Sequence, residues 1–476
     1  MAEVLRLANL HRFPVVPRGA ATWGLGGAVP MRNGVVLDLT SLDSIAGIDA
    51  GKGLVTVSSG ATWQKVIDAA RREGLHIGTY PSSFPAATVG GWIAVGGVGI
   101  GTLGHGRIQE NLASLQVVLP QGGIEECHPA SEAGGLPLDT FVGTEGVLGV
   151  VTRAVIRARP LPERTLPLAF TFPALADAAA FLGRLPFELS PTHVMFADRA
   201  NFEWLEAAGI STGVRTALVT VILEGEAARV ESEAKRAEDL ARSTGGGCAP
   251  SEVAQRQWTE RSREYRMRRA GTGSLPGQVL LPLTRLGEAV ERTYALLRRF
   301  RLNAAMRGTL ADRDTFMLVP YYLIDERRQA RTLAAMTFNY HLTELAFSLG
   351  GRPMGLGMYL PFLLHKDRGS AEARRLLELK KRLDPNGVLN PGKLLESQSR
   401  SGRRISPWLS VLAMRMGRVL RSTMARESFP VRADIEGPGT RAAIGDGAVK
   451  GPTKDAGAEG GAAGPGRPPK GGPREG

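Results

Sequence analysis

The sequence predicts an α+β fold, and three observations lead there. Short strand signals separated by glycine-dense turns occupy the first third; Ala/Leu-rich helices alternate with apolar strands after Pro160-Leu161-Pro162; a Gly/Pro-rich tail closes the chain. At 476 residues the chain exceeds one ordinary core, so two folded domains with appendages are expected, and 43% hydrophobic content allows them substantial burial.

Met1 to His11 reads as an amphipathic helix with Val4, Leu5 and Leu7 or Ala8 on one side, and extended Phe13-Pro14-Val15-Val16-Pro17 then enters a glycine loop. Strands are expected at Val35–Leu39 and Leu54–Ser58, a helix over 62–73, and strands at Leu115–Leu119 and Val147–Arg157, with Gln121-Gly122-Gly123 as a turn between the last two. Helices near 174–184 and 224–243 then alternate with strands at Ala217–Leu223, Gln278–Leu283 and Thr315–Leu323. A helix over 369–383 runs into the Pro- and Gly-broken loop Leu383 to Lys393. No internal repeat is evident.

The resulting domain plan is 1–160, 161–396, a basic amphipathic helix and linker over 397–436, and a tail over 437–476. In that tail 13 Gly and 6 Pro fill 40 positions, so disorder is expected because little apolar surface offsets the ordering entropy. Ile405, Trp408, Leu409, Leu412, Met416, Val419 and Leu420 fall on one helical stripe flanked by Arg404, Arg415, Arg418 and Arg421. Such a stripe requires a partner surface, with anionic lipid, an electron-accepting protein and the body of the molecule all open.

Composition excludes several classes. The net charge is +13, but residues 398–476 carry 14 Lys/Arg against 7 Asp/Glu, so the body is only mildly basic and nucleic acid is an unattractive partner. Cys127 and Cys248 are the only cysteines, too few for a Cys₄ cluster or a disulfide framework. No signal peptide and no apolar run of about 18 residues occurs, so a cytoplasmic protein is expected, with attachment to the inner membrane face open.

Gly99-Ile100-Gly101-Thr102-Leu103-Gly104 satisfies G-x-G-x-x-G, with Glu125 about twenty residues on. A Rossmann site nevertheless requires a strand before it and a long apolar helix after it. Here glycines interrupt Gly90 to Gly97 and His105-Gly106-Arg107 comes next, so a cofactor-wrapping loop is the better reading.

Six segments carry a family resemblance: Pro17-Arg18-Gly19-Ala20-Ala21-Thr22, Pro81-Ser82-Ser83, Thr88-Val89-Gly90-Gly91, Gly104-His105-Gly106, Gly143-Thr144-Glu145-Gly146-Val147-Leu148-Gly149-Val150-Val151-Thr152 and Asn390-Pro391-Gly392-Lys393. In order and spacing they resemble the FAD-binding PCMH-type (vanillyl-alcohol oxidase/p-cresol methylhydroxylase) family. Its glycolate oxidase FAD-linked subunit and D-lactate dehydrogenase branch is the most similar. The resemblance spans about residues 1–395 and is densest over 12–160. It implies a two-subdomain FAD-binding domain followed by an α+β cap.

Carried over residue by residue, the resemblance makes Pro17, Arg18, Gly19, Ala20, Ala21 and Thr22 the pyrophosphate loop. Pro81, Ser82, Thr88, Gly90 and Gly91 would continue along the diphosphate and ribityl chain. Gly104, His105, Gly106, Glu145, Gly149, Val150, Val151 and Asn390 complete the implied cofactor set. Members that tether FAD covalently use a histidine in the first loop; Ala20 and Ala21 stand there, so non-covalent FAD is expected. The family also carries a strand and further helix ahead of that loop, which this sequence lacks.

The second half says less. Trp258-Thr259-Glu260-Arg261 resembles the branch's Trp-x-x-Arg, whose guanidinium holds a substrate carboxylate, although Arg256, Arg263, Arg266, Arg268 and Arg269 crowd beside it as a solvated charge run would. The branch's metal and catalytic histidine segments correspond to Met306–Asp312 and Gly350–Met358, neither of which contains histidine. No metal is therefore expected, and a different base is required. Tyr322 and His365 are the candidate catalytic groups, and Tyr321 and Tyr359 join Arg261 as candidate substrate contacts; His341 and Lys366 are weaker.

The expected function is FAD-dependent oxidation of a hydroxyl-bearing carbon, of a 2-hydroxy acid such as glycolate or D-lactate, with electrons passed to a separate acceptor. An iron–sulfur partner subunit is implied by the resemblance. An alditol or alcohol oxidase using O₂, and a non-catalytic flavin-binding electron-transfer subunit, are the alternatives.

Overall fold

A computed structural model describes residues 1–129, 135–262, 273–274, 277–302, 304–324, 329–399 and 401–424. The residues read as a disordered tail, and Arg263, Arg266, Arg268 and Arg269, lie outside the described residues.

The chain opens on α1 (Ala2–His11), whose Leu5 and Ala8 are fully buried against Val15, Leu39, Val118 and Val150. The helix thus packs on residues C-terminal to it. Strands β1 (Val15–Arg18) and β2 (Val35–Asp38) pair in parallel, and Leu389 bridges to Val15 on the other side, so the far end of the chain completes this small layer.

A second layer is a five-stranded sheet in the order β3 (Ile45–Asp49), β4 (Leu54–Ser58), β8 (Val150–Arg157), β6 (Leu112–Val118), β7 (Ile124–Cys127). Helix α2 (Trp63–Arg72) buries Trp63, Val66 and Ala70 at helical spacing, and its first turn is capped by Thr62, whose hydroxyl accepts from the Lys65 amide at 3.3 Å. The short β5 (Leu75–His76) pairs with β9 (Arg159–Pro160). Between them in sequence lie α3 (Val89–Val95) and the four-residue α4 (Thr102–His105). That stub, with Ile100 bridged to Tyr80 before it, is not the strand and long helix a Rossmann site requires.

The cap is built on a nine-stranded sheet. Its continuous path runs β13 (Gly247–Cys248), β10 (Arg164–Phe172), β12 (Ala217–Gly225), β11 (His193–Ala197), β16 (Ala304–Leu310), β17 (Thr315–Ile324), β15 (Val279–Pro282), β18 (Arg352–Pro353), and β14 (Gly273–Ser274) adds to β17. Helices α5 (Leu175–Glu188), α7 (Ala227–Ser243), α9 (Leu286–Phe300) and α10 (Gln329–Ser348) bury their apolar faces on one side of it. Helices α6 (Arg199–Ala207) and α8 (Ser251–Thr259) pack at β16 and β10. Burial on both faces makes β12 an unbroken buried run, apolar except for Thr220, rather than an alternating one.

After β18 the chain leaves the cap. Helices α11 (Leu364–Arg368) and α12 (Ser370–Leu383) share a core with α2 and the five-stranded sheet, through Leu364, Ala373, Leu376 and Leu379. The loop beyond α12 is fastened by Lys380, whose ammonium donates to Asp384 Oδ2 (2.6 Å), Leu389 O (2.7 Å) and Val147 O (2.8 Å). Asp384 in turn accepts from the Val388 and Leu389 amides. Helix α13 (Pro407–Met424) lies against α10 and the turn at Pro361–Leu363, with Val411 and Met414 less exposed than their neighbours. The apolar stripe is not the face it buries: Ile405, Trp408, Leu409, Leu412 and Met416 are exposed, and the side chains of Val419 and Leu420 lie outside the described residues.

Candidate active site

The loop leaving β1 is the first component. The amides of Gly19, Ala20, Ala21 and Thr22 donate to no protein acceptor among the described residues, and Ala21 holds a left-handed φ of 52°. Successive backbone donors without acceptors are costly unless an anion or water meets them, and such a turn forms an anion-binding concavity. Close approach is built in as well: a Cβ on Gly19 would stand 2.2 Å from Thr88 Oγ1, and one on Gly91 2.9 Å from the same atom. Thr88 Oγ1 is itself buried without a partner.

These residues open onto a cleft of about 1320 Å³, counting its mouth. From the expected cofactor set Pro17, Gly19, Ala20, Ala21, Thr22, Pro81, Ser82, Thr88, Gly90, Gly91, Glu145, Gly149, Val150 and Val151 line it. Trp92, Phe141 and Leu39 give it apolar walls. Successive amides without protein acceptors at one wall and flat apolar surfaces beyond suit a diphosphate joined to aromatic ring systems, so the residues present fit FAD.

Five expected residues stand elsewhere. Arg18 turns its side chain to solvent as β1 ends. Asn390 lies behind the wall, where its amide donates to Glu145 O (2.7 Å) and Gly27 O (3.2 Å). Gly104, His105 and Gly106 are not in the cleft; they form the seam with the cap, where the Gly104 amide donates to Thr192 O at 3.1 Å. A glycine signal reports close approach of backbones, and here the approaching backbone is protein.

Glu145, like Ala21, holds a left-handed backbone, with φ 53°. Its amide donates to Ala94 O (2.7 Å), and its Oε1 accepts from the Gly357 (2.9 Å) and Leu356 (3.3 Å) amides. Its Oε2 is buried without a partner, and burial pushes the carboxyl up to about 7 despite those two bonds. Lys393, 1% exposed, also has a partnerless ammonium; burial pulls it down to about 8, against the attraction of Glu145.

A second cavity of about 690 Å³ adjoins the cleft and shares Ser82, Val98, Gln278 and Met317 with it. Strand alternation explains its far wall. Val194 and Phe196 of β11, Met306 and Leu310 of β16, and Phe316, Leu318 and Tyr322 of β17 enter the cap core. Their neighbours His193, Met195, Arg307, Thr309, Met317, Val319 and Tyr321 therefore face the chamber. Register places Thr309 between Met195 and Met317, and Arg307 opposite Val319.

The chamber's polar complement is His193, Arg307, Thr309, Tyr321 and Gln278. Thr309 is committed to Val194 O (2.6 Å), and Gln278 accepts from Trp23 Nε1 (3.2 Å) where the two cavities meet. His193 is 3% exposed with Nδ1 unpartnered. Burial, reinforced by the nearby Arg261 charge, brings its imidazole down to about 3, so the ring is neutral at pH 7.

Several expected site residues are corrected by this geometry. Tyr322 is fully buried in the cap core with its hydroxyl on Asn339 Oδ1 (2.9 Å), one position out of phase with the chamber. His365 is exposed on α11, and Tyr359 packs between the two main cores; neither lines the cleft or the chamber. Arg261 lies behind the chamber wall, with its guanidinium stacked 4.1 Å from the Trp258 ring and donating to Tyr80 Oη (3.1 and 3.2 Å). Tyr321 does face the chamber.

Sequence reasoning missed His193 and Arg307. Arg307 sits inside Met306–Asp312, a segment that stands out in the sequence only for its lack of histidine. His193 begins a strand whose alternation His193-Val194-Met195-Phe196 is too weakly polar to reveal which face is wet.

Comparison with known proteins gives two family matches: the FAD binding domain over residues 1–128 and the C-terminal domain of FAD linked oxidases over residues 161–394. A D-lactate dehydrogenase of Archaeoglobus fulgidus is 28% identical over 411 residues, covering 83% of this chain and 89% of the relative. The glycolate oxidase subunit GlcD of Bacillus subtilis is 26% identical, covering 84% and 87%. Among solved structures, p-cresol methylhydroxylase with substrate bound superposes with a TM-score of 0.72 at 18% identity over 83% of this chain and 87% of that one. A 4-ethylphenol oxidase of Gulosibacter chungangensis does so with 0.69 at 17%, covering 83% and 86%. At those identities the structural likeness speaks for the fold.

Proposed function

The chain belongs to the FAD-linked oxidases, enzymes acting on hydroxyl groups, and from that premise we propose that its substrate is a small 2-hydroxy acid of the glycolate or D-lactate kind. The observation that carries the proposal is the pairing of Arg307 with His193 in a chamber open to the cofactor cleft. A guanidinium suits bidentate capture of a carboxylate, and a neutral imidazole can take the proton of the adjacent hydroxyl.

Bound FAD supplies the two-electron acceptor for the hydride leaving the hydroxyl-bearing carbon. The protein's part is to place and deprotonate. Arg307 fixes the carboxylate end, Tyr321 and Thr309 bound the chamber, and Met195, Met317 and Val319 exclude water from the reacting carbon. A carboxylate held on Arg307 also adds negative charge to the chamber, which raises the affinity of His193 for the proton. The products are a 2-oxo acid, two protons, one from the hydroxyl and one that left the carbon within the hydride, and two electrons to be passed on. With two cysteines in the sequence, an iron–sulfur relay would belong to a partner chain.

Anaerobic titration of the holoprotein with hydroxy acids and polyols tests this reading. Bleaching of the flavin by a 2-hydroxy acid, with one 2-oxo acid formed per flavin, is expected, and Arg307→Met should raise KM for that acid roughly 10- to 100-fold. Bleaching by polyols alone refutes it, and so does an Arg307→Met variant with unchanged KM.

We further propose that α13 rests on an anionic lipid surface. Among the described residues no helix is long and apolar enough to cross a membrane. Trp408, Leu409, Leu412 and Met416 nonetheless form an exposed apolar face beside Arg404 and Arg415, the pattern of a helix lying in the headgroup plane. Co-sedimentation with phosphatidylglycerol vesicles should be lost in a Trp408→Ser/Leu412→Ser variant. Equal sedimentation of variant and wild type overturns the assignment.

A further inference from the structure

His105 does not touch the cofactor cleft, and the seam that holds it contains a second ring. His76 of β5 and His105 of α4 pack edge to face with ring centroids 5.5 Å apart. Glu224, near the end of β12 in the cap, directs Oε2 at both, 3.7 Å from His76 Nε2 and 3.8 Å from His105 Nε2. Those separations are too long for hydrogen bonds. Both Nε2 atoms are buried and without a hydrogen-bond partner. Two adjacent unpaired imidazole nitrogens and a carboxylate oxygen, all mutually within 4.8 Å, form an unfinished polar cluster.

The surroundings hold the three groups in place. Thr165 Oγ1 donates to the other Glu224 oxygen at 3.2 Å, the kind of outer contact that orients a ligating carboxylate. Gly78 makes room for the His105 ring, because a Cβ there would stand 2.8 Å from His105 Cγ. Burial pulls the His76 imidazole below its ordinary value, favouring the neutral form. The carboxyl of Glu224, although burial opposes it, is held below its ordinary range by His105 and His76. Nearby Arg159 donates to Asn111 Oδ1 at 2.8 Å, and its charge and that of Arg71 add to the lowering of the His76 imidazole.

We propose that His76, His105 and Glu224 form a three-ligand site for a divalent transition-metal ion, zinc first among them, which staples the cap to the flavin domain. Two imidazoles and a carboxylate are a donor set that zinc accepts in tetrahedral geometry, with water in the fourth position. Bonds of roughly 2.0–2.2 Å place tetrahedral ligand atoms about 3.4 Å apart, so small side-chain rotations close the present gaps. The two histidine side chains keep 19% and 18% exposure, which leaves a path for the ion and its water. The staple lies outside both cavities and is independent of the substrate reading. It is also separate from the histidine-free segments at 306–312 and 350–358, whose composition led the sequence to no metal.

The test uses full-length holoprotein stripped with chelator, reloaded with zinc, desalted, and assayed by inductively coupled plasma mass spectrometry and thermal melting. About one zinc per chain and a raised Tm are expected for the wild type. His105→Asn and Glu224→Gln should each retain at least about tenfold less zinc at unchanged flavin content, and zinc should not raise their Tm. The zinc absorption edge of the wild type alone, expected to show two imidazoles and oxygen without sulfur, keeps the test decisive where a variant does not fold. Failure of the wild type to retain zinc, equal retention by both variants, or a sulfur-containing shell overturns the proposal.

Discussion

Replacing Glu145 with glutamine should make the protein's stability less sensitive to pH, and the size can be worked from the carboxyl's surroundings. In the folded chain burial holds the proton to about pH 7, whereas the ordinary value is 4.5. Between those values the folded state binds more protons than the unfolded one, so stability falls as pH rises. The full interval corresponds to about 3 kcal/mol, lost progressively above pH 4.5 and complete above about 7. Attraction to Lys393 is already contained in that value. Glutamine keeps a carbonyl oxygen for the Gly357 and Leu356 amides and removes the ionisation. Urea unfolding of flavin-depleted wild type and Glu145→Gln at pH 5 and pH 8 measures the effect. Relative to wild type, the variant should gain up to about 3 kcal/mol across that range. A difference between the two proteins that does not change with pH, or that moves the other way, refutes the reasoning.

Gly19→Val should abolish flavin binding while the fold persists by circular dichroism, because its Cβ would enter the space of Thr88 Oγ1 at 2.2 Å. His193→Asn should lower kcat by roughly 10²- to 10⁴-fold at unchanged flavin content, read by stopped-flow reduction; a rate within about twofold of wild type removes the imidazole from the chemistry. Tyr322→Phe should cost about 1–3 kcal/mol of stability by stranding Asn339 Oδ1, with no change in the rate of flavin reduction. Acid precipitation should leave the yellow colour in the supernatant, because Ala20 and Ala21 offer no side chain for a covalent tether.

The cofactor wall was legible because its chemistry is written in short local segments. Gly19, Thr88 and Glu145 lie in loops and Gly90 in the first turn of α3, in segments whose small residues announce close approach, and the structure gathers them around one cleft. The chamber was not legible in the same way. Its residues come one at a time from β11, β16 and β17, and which of two neighbours faces inward depends on register. Tyr321 and Tyr322 make the point: adjacent, chemically identical, and on opposite faces of the sheet. Arg261 shows a further limit. A charged residue chosen for its motif can be occupied by a tyrosine hydroxyl and an indole face that only the tertiary fold brings near. Strands at 164–172 and 304–310 are each interrupted, by Arg164 and Pro167 in the first and by Arg307 and Gly308 in the second, and the sheet supplies what the pattern lacks.

The bridge from Leu389 to Val15, with Asn390 fastened to Glu145 O, bears on how the molecule is made. A ribosome that has delivered residues 1–160 has produced the anion loop but not the segment that steadies the wall beside it. The cleft is finished only when residues near 390 emerge, after the whole cap. Contacts this distant in sequence form late, and the half-made domain meanwhile exposes the surface that α12 later covers. A nascent chain stalled inside the cap would therefore hold an incomplete cradle.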